Sequence, residues 1–461
     1  MKDYRDFFRG KRITVMGLGL LGRGLGYTKF LAECGADLTV TDLKTKEQLK
    51  TSIKALSKCR NPEGKQSSHG AGIKFVLGKH RLKDFKGRDM IIKAAGVPLD
   101  SVYIKEARKN KIPIEMDVSL FAKLAPEVML VGVTGTRGKS MTTALIYEIL
   151  SNNLKDRKVY LGGNVRGVAT LPLLEKVKKG DVLVCELDSW QLQGFGDAKI
   201  SPHISVFTSF MDDHLNYYKG DRKKYFADKA NIFKHQKKGD ILIVRPHVEK
   251  IIKEKLKSLP AQAGKLIVAD AKDITSYKFI VPGEHQRENL ACAVEVAKQF
   301  NIPVAQIKKT VADFKGVEGR LQFVKNYKGI KIYNDNNATT PEATIAGIRA
   351  LAEIKKEGKI ILIGGGADKN LDLDLYVNVL NTFCKALILI PGTGTNKLLK
   401  DYKIKIPNET GKNLKDIVQK AFKYAQKGDT ILFSPAFASF GMFNNEYERN
   451  DLFMKIIKNL K

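Results

Sequence analysis

The chain has 461 residues, 43% of them hydrophobic and 28% charged, with a formal net charge of +31. At roughly 150 residues per domain, that length predicts three domains, each with its own core. No uninterrupted apolar run approaches the ~20 residues needed to span a membrane, and the opening Met1-Lys2-Asp3-Tyr4-Arg5-Asp6 lacks the apolar stretch of a secretory signal. Cys34, Cys59, Cys185, Cys292 and Cys384 are scattered, with no C-x-x-C pair, and read as free thiols in a reducing compartment; a cytoplasmic protein is expected. The lysines are spread along the whole chain without a basic arm, an aromatic RNA-binding stretch or a zinc finger. The positive charge therefore reads mainly as solvated surface that also attracts small anions. The competing reading of that charge is a nucleic-acid-stimulated ATPase.

In chain order, residues 13–16 predict a strand leading into Gly17-Leu18-Gly19-Leu20-Leu21-Gly22, then a helix to Cys34 and a strand over 38–41 that ends at Asp42. Another strand over 89–92 ends near Gly96-Val97-Pro98, and this βαβ rhythm predicts a parallel sheet. The polar stretch 50–86, with a loop at Asn61-Pro62-Glu63-Gly64, reads as a surface excursion. Asp42 follows the third glycine of the G-x-G-x-x-G string by 20 residues, which fits a dinucleotide fingerprint. The glycines Gly17, Gly19 and Gly22 would permit a tight turn against a pyrophosphate, and Asp42 would bind a ribose hydroxyl. An NAD enzyme fits this pattern, a uridine diphosphate sugar fits it equally, and so does a tight turn with no ligand.

The middle third starts near Asp117. An apolar run over 128–131 leads into Val133-Thr134-Gly135-Thr136-Arg137-Gly138-Lys139-Ser140, and a helix-like run follows over 144–150. Strand, glycine-rich loop and helix in that order form a phosphate loop. Gly135 and Gly138 let backbone N–H groups turn inward, Lys139 reaches the β- and γ-phosphates, and the Ser140 hydroxyl holds Mg²⁺. Further strands are expected over 182–185, 204–207 and 241–244, and a helix from Gly283 to Lys298. Glu186, at the end of the first of these strands, is placed for Mg²⁺; Asp188 competes for that role, and the pair also reads as a cap for the next helix. Asp213-His214 follows another strand, where the imidazole would serve metal, phosphate or structure. Nothing in composition alone marks Lys229 in Tyr225-Phe226-Ala227-Asp228-Lys229.

The last third begins near Val317, with strands over 330–333, 360–363, 386–389 and 430–433. Gly319-Arg320 precedes a strand. Asn334-Asp335-Asn336-Asn337-Ala338-Thr339-Thr340-Pro341, Gly364-Gly365-Gly366-Ala367-Asp368-Lys369 and Ser434-Pro435-Ala436-Phe437-Ala438-Ser439 end three others. Polar and glycine-rich strand ends in one α/β domain predict a ligand site.

Taken together, T-G-T-x-G-K-S, Glu186-Leu187-x-Ser189-Trp190-Gln191-Leu192, Asp213-His214-Leu215, the Tyr225-to-Lys229 spacing, Asn334-Asp335 with Ala338-Thr339, and Ser434-Pro435-Ala436 with Ser439 resemble the Mur ligase family over essentially the whole chain. The resemblance implies an α/β protein of three domains: a Rossmann-like domain for the UDP substrate (1–116), a central P-loop ATPase domain (117–316) and a Rossmann-like amino-acid domain (317–461). It implies ATP-dependent addition of D-glutamate to UDP-N-acetylmuramoyl-L-alanine through an acyl phosphate, with two Mg²⁺ ions, in a monomer needing neither nucleic acid nor membrane.

Carried over by residue, Gly17, Leu20, Leu21, Asp42, Gly96 and Asn164 would bind the UDP substrate. Gly135, Thr136, Arg137, Gly138, Lys139, Ser140, Asn289, Arg320 and Asp335 would bind ATP. Ser140 and Glu186 would hold one Mg²⁺, and His214 with a carbamylated Lys229 the second. Thr339, Lys369 and Ser439 would hold D-glutamate. Lys139, Glu186, His214, Lys229 and Lys369 form the catalytic set. The chain departs from the family's usual pattern at Arg137 and Asn337 (usually Asn and Lys), at Asp188 (usually Ser) and at Gln286 (usually Asn). The aromatic residue beside the amino acid is displaced toward Glu446-Tyr447. These departures bear on amino-acid choice more than on ligase chemistry. A related ligase with another acceptor, such as a folylpolyglutamate synthase, and an NAD-dependent oxidoreductase are the alternatives.

Overall fold

A computed structural model of the chain describes residues 4–20, 22–59, 73–214, 217–255, 264–353 and 359–460. These residues form two compact units, one of Met1–Asp273 with Asn289–Ile307 and the other of Ile274–Glu288 with Lys308–Lys461.

The first unit carries two parallel sheets. Strands β1 (Arg12–Met16), β2 (Asp37–Asp42), β3 (Ile73–Leu77), β4 (Met90–Lys93) and β5 (Ile114–Glu115) pair in the order β3-β2-β1-β4-β5. Strands β6 (Met129–Thr134), β7 (Val159–Gly163), β8 (Val182–Glu186), β9 (Ile204–Phe207), β10 (Ile241–Val244) and β11 (Lys265–Val268) pair in the order β11-β10-β9-β6-β8-β7. In the second unit, β12 (Gln322–Tyr327), β13 (Ile330–Asn334), β14 (Ile360–Gly365), β15 (Cys384–Ile390), β16 (Asn408–Thr410) and β17 (Thr430–Phe433) pair as β12-β13-β17-β14-β15-β16. Only the β12–β13 pairing is antiparallel.

The physical cause is the sequence pattern. Parallel sheets with helices on both faces bury both faces of each central strand, so those strands read as continuous β-branched and leucine runs. Ile13, Val15, Val131, Val133, Val184, Ile361, Leu362 and Ile431 are all buried in this way. The order of the N-terminal sheet reverses at β1, which puts a crevice at the carboxyl ends of β1 and β4. The stretch 50–86 is more structured than its polarity predicts, with a helix over Lys50–Leu56, strand β3 and a 3₁₀ turn over Leu82–Phe85. In β3 only Ile73 and Val76 turn fully inward while Lys74 faces water, as suits a strand at the sheet's edge. The Asn61-Gly64 loop lies outside the described residues. Among the described residues no helix is long and apolar enough to cross a membrane.

Candidate active site

Strand β6 delivers the chain into the 135–138 loop, and the helix Lys139–Asn153 leaves it. Gly138 sits at φ 88° as the N-cap, with no side chain bonded to the helix start. The N-terminal N–H groups of this helix are thus free of a side-chain cap, and the helix dipole favours an anion there. A side chain at Gly138 would run into Asn289, and one at Gly135 into Thr208, so both positions require glycine. The loop is held from behind. Thr136 N–H donates to the Ser209 carbonyl at 2.8 Å, Arg137 N–H donates to Ser209 Oγ at 2.8 Å, and the Thr208 hydroxyl donates to the Arg137 carbonyl. Lys139 Nζ folds back on the carbonyls of Gly135 (2.9 Å) and Thr136 (3.2 Å). The Arg137 guanidinium pairs with Asp213 at 2.8 Å. Asn289 is buried and accepts from Thr142 and from Arg245 through its Oδ1.

Four side chains expected around a cation flank this loop. Glu186 ends β8, buried, and Asn164 Nδ2 approaches its Oε1 at 3.4 Å. Asp188, its competitor, is the N-cap of the Ser189–Ala198 helix in a capping box with Gln191, so the capping role belongs to Asp188 and leaves Glu186 at the strand end. His214 sits at φ 54°, its ring 4.8 Å from that of Trp190. Burial, with Lys139 and Lys229 close by, lowers the His214 pKa against the opposing pull of Asp213. Burial alone would raise the Asp213 carboxyl, but Arg137 and His214 outweigh it and hold it below its usual range. Lys229 is 2% exposed, lies over the Tyr225 ring and donates to the Gly135 carbonyl at 2.9 Å.

No three His, Cys, Asp or Glu side chains converge as a metal cluster among the described residues. The donor set is instead sparse: the Ser140 hydroxyl just after a loop shaped for phosphate, with one carboxylate, one imidazole and one amine flanking it. Such a set suits hard cations that keep water and phosphate oxygens as ligands, as Mg²⁺ does. An ammonium at Lys229 does not suit a cation; its carbamate does.

In the N-terminal sheet, Gly17 (φ 97°) and Gly19 (φ 64°) shape the turn after β1. Asp42 ends β2, buried, and its two oxygens accept from Gly19 N–H (2.9 Å) and Lys44 N–H (2.8 Å). Leu20 is exposed, and Gly96 has open space around it. Leu21 lies outside the described residues.

In the second unit, β13, β17 and β14 lie side by side, so the three polar strand ends meet. Asp335 N–H donates to Phe433 O, and Ser434 N–H to Ile363 O. Ser434 Oγ and Leu321 N–H donate to the buried Asp335 carboxyl, and burial raises its pKa to about 7. Lys369 Nζ donates to Thr339 Oγ1 at 3.0 Å, joining two of the three residues expected at the amino acid; Ser439 is buried after β17. Asn337 bonds to its neighbours, its N–H to Gly319 O and its Oδ1 to Asn336 Nδ2. The fully buried Arg449 clasps Asn336 through two bonds.

Residues 133–297 match the model of the Mur ligase middle domain, and residues 319–437 that of the Mur ligase, glutamate ligase domain. The UDP-N-acetylmuramoylalanine–D-glutamate ligase of Roseiflexus sp. (strain RS-1) is 34% identical, over 97% of this chain and 98% of that protein. The enzyme of the same name from Borreliella burgdorferi is 35% identical over 99% of each. The chain belongs to the Mur ligase family. The fold agrees: the UDP-N-acetylmuramate–alanine ligase of Thermotoga maritima superimposes with a TM-score of 0.60 at 18% identity, covering 98% of this chain and 100% of that one. As a Mur ligase, the chain is an ATP-dependent, amide-bond-forming enzyme of α/β architecture, its three sheets distributed over two compact units.

Several contributors to this Mur ligase site escape motif reading. Thr208 and Ser209 brace the phosphate loop, and Arg245 is buried against Asn289. The signal for the first two is a hydroxyl pair directly after an apolar strand; Arg245 has no signal but its place at the end of β10.

Proposed function

We propose that this enzyme joins D-glutamate to UDP-N-acetylmuramoyl-L-alanine at the expense of ATP, through an acyl phosphate, as a step of peptidoglycan precursor synthesis. The observation that carries the reading is the whole-length similarity to two enzymes of that name, at 34% and 35% identity. We assign residues 1–116 to the UDP substrate, 117–316 to ATP and 317–461 to the amino acid, and place the enzyme in the cytoplasm as a monomer.

The L-alanine carboxylate of the nucleotide would attack the γ-phosphorus of ATP, with ADP as leaving group. The D-glutamate amine would then attack the acyl phosphate carbon, expelling phosphate and losing a proton. Lys139 would leave the Gly135 and Thr136 carbonyls for the β- and γ-phosphates, while the N–H groups at the helix start, residues 138–140, would cradle them. Mg²⁺, when bound, would neutralise charge on the transferring phosphoryl group. Ser140 and Glu186 would hold one ion; His214 and a carbamylated Lys229 would hold the other. Asn289, Arg320 and Asp335 are assigned to ATP. Gly17, Leu20, Leu21, Asp42, Gly96 and Asn164 are assigned to the UDP substrate, and Thr339, Lys369 and Ser439 to the D-glutamate carboxylates.

The test is phosphate release from ATP with Mg²⁺ and UDP-N-acetylmuramoyl-L-alanine, comparing D-glutamate, L-glutamate, other amino acids and none. Release that requires both the nucleotide and D-glutamate is expected. A requirement for the nucleotide with preference for another amino acid would overturn the acceptor and keep the ligase.

A further inference from the structure

Lys93 is the last residue of β4 and pairs in register with Met16, the last residue of β1. It therefore stands where the strand order reverses, at the carboxyl ends that flank the crevice of an open parallel sheet. Its side chain is nonetheless 2% exposed. Nζ donates to the carbonyls of Ala95 (3.3 Å) and Val97 (3.0 Å) in the loop that follows. That loop is itself a tight turn, with Ala94 N–H on Met16 O (2.8 Å) and Val97 N–H on Ala94 O (3.1 Å). On its far side Ala94 abuts the glycine turn so closely that a Cβ on Gly17 would sit 2.8 Å from Ala94 Cβ. Gly96, at the tip, faces open space. The ammonium thus braces from inside a turn whose outer surface borders the crevice.

The acidic groups facing Lys93 are Asp188, Asp197 and Asp228, and they act through space, with Arg108 opposing them. Burial outweighs the three carboxylates and lowers the ammonium to about 8. A buried charge of this kind costs stability that an apolar side chain of similar length would not. Charge-assisted bonds to two carbonyls are what it supplies in return.

We propose that Lys93 is a positioning residue for the nucleotide substrate: it holds the 94–98 turn as a fixed wall of the β1/β4 crevice, so that Gly96 and the glycine turn at Gly17 and Gly19 meet the ligand in one geometry. The proposal rests on the reading of the N-terminal sheet as the uridine-nucleotide site.

The experiment compares wild type, Lys93→Met and Lys93→Arg in the full chain. The readouts are KM for UDP-N-acetylmuramoyl-L-alanine, KM for ATP, kcat, the melting midpoint, and calorimetric binding of UDP alone between pH 6.5 and 9. In Lys93→Met, KM for the nucleotide and Kd for UDP are expected to rise about tenfold, with KM for ATP and kcat within about twofold of wild type and the melting midpoint not lowered. Lys93→Arg recovers most of the affinity. Wild-type affinity for UDP weakens above pH 8, where the ammonium is lost, and that of Lys93→Met does not change there. Unchanged affinity in Lys93→Met would overturn the proposal. So would a fall in kcat and in both affinities in step with a lowered melting midpoint, which would make Lys93 structural only. If Lys93→Met does not fold, the pH profiles of wild type and Lys93→Arg decide, since arginine keeps its charge across the range. A wild type that binds no UDP at any pH would sink the nucleotide-site reading, and this proposal with it.

Discussion

The Nζ of Lys229 donates to the carbonyl oxygen of Gly135 at 2.9 Å, tying a buried lysine to the backbone of the phosphate loop. Burial first, and the neighbouring Lys139 second, pull its pKa well below the ordinary 10.5. A neutral amine in that position is a nucleophile toward CO₂; a carbamate would form with loss of one proton and would turn a would-be cation into a carboxylate-like ligand. Lys229→Ala is accordingly expected to lose turnover by about a thousandfold or more, and to regain part of it with added acetate or formate, measured as phosphate release. Wild-type turnover in Lys229→Ala would remove the residue from the site.

Asp42 joins two strand ends rather than simply facing a ligand. Its carboxylate accepts from Gly19 N–H and Lys44 N–H, so it fixes the glycine turn on which a pyrophosphate would rest. Replacing it by alanine leaves both donors without this partner in a half-buried place, a loss of about 1 kcal/mol. Asp42→Ala should therefore lower the melting midpoint and also raise KM for the UDP substrate by about tenfold, with KM for ATP unchanged. Asp42→Asn, which keeps one acceptor, should fall between. A stability loss without any change in nucleotide KM would confine Asp42 to the turn.

How much of this was legible in the sequence depends on where each residue lies in its sheet. Apolar runs pick out every interior strand of the three sheets; of the edge strands only β12 is expected, after Gly319-Arg320, and β3, β5, β7, β11 and β16 are not. An interior strand buries both faces, so Ile360-Ile361-Leu362-Ile363 reads as one unbroken run. An edge strand such as β12 or β16 is only half covered and carries polar residues throughout. The phosphate loop was plain because its chemistry is local: glycines, lysine and serine within six residues, Gly135 to Ser140. Lys229 and Lys93 were not, because a lysine becomes unusual only when tertiary packing removes its water, and neither neighbouring sequence encodes that. That Asp188 caps the next helix was likewise decided by packing, through the Asp188–Gln191 capping box.

Asp335 gives the second unit a pH signature. Burial outweighs the Ser434 and Leu321 donors and nearby Arg320, raising its carboxyl from 3.8 to about 7. A folded-state value above the unfolded one means that the neutral carboxyl contributes stability in full below 3.8, and that this contribution is lost as pH rises through about 7. The loss is on the order of a few kcal/mol. Calorimetric unfolding of wild type should thus show a stability decrement between about pH 4 and 7 that Asp335→Asn lacks. Parallel pH dependence in the two proteins would show that Asp335 ionises normally.

Arg137 places a second cation in the phosphate loop where the family resemblance leads one to expect asparagine. In the structure its guanidinium is held by Asp213 at 2.8 Å, beside His214. The Arg137 side chain is 42% exposed, so the ion pair is worth little to stability, under about 1 kcal/mol. Its weight should instead fall on the triphosphate, since a charged donor near the β- and γ-phosphates gains most where Mg²⁺ is scarce. Arg137→Asn is expected to melt within about 2 °C of wild type, because so small a ΔΔG moves the midpoint little. It should bind ATP several-fold more weakly, with the deficit largest at low Mg²⁺. Trp190, the chain's single tryptophan, stands 4.8 Å from the His214 ring and provides the fluorescence signal for that titration. Equal ATP affinity for both proteins without Mg²⁺ would mean that the Arg137 side chain takes no part in holding the phosphates.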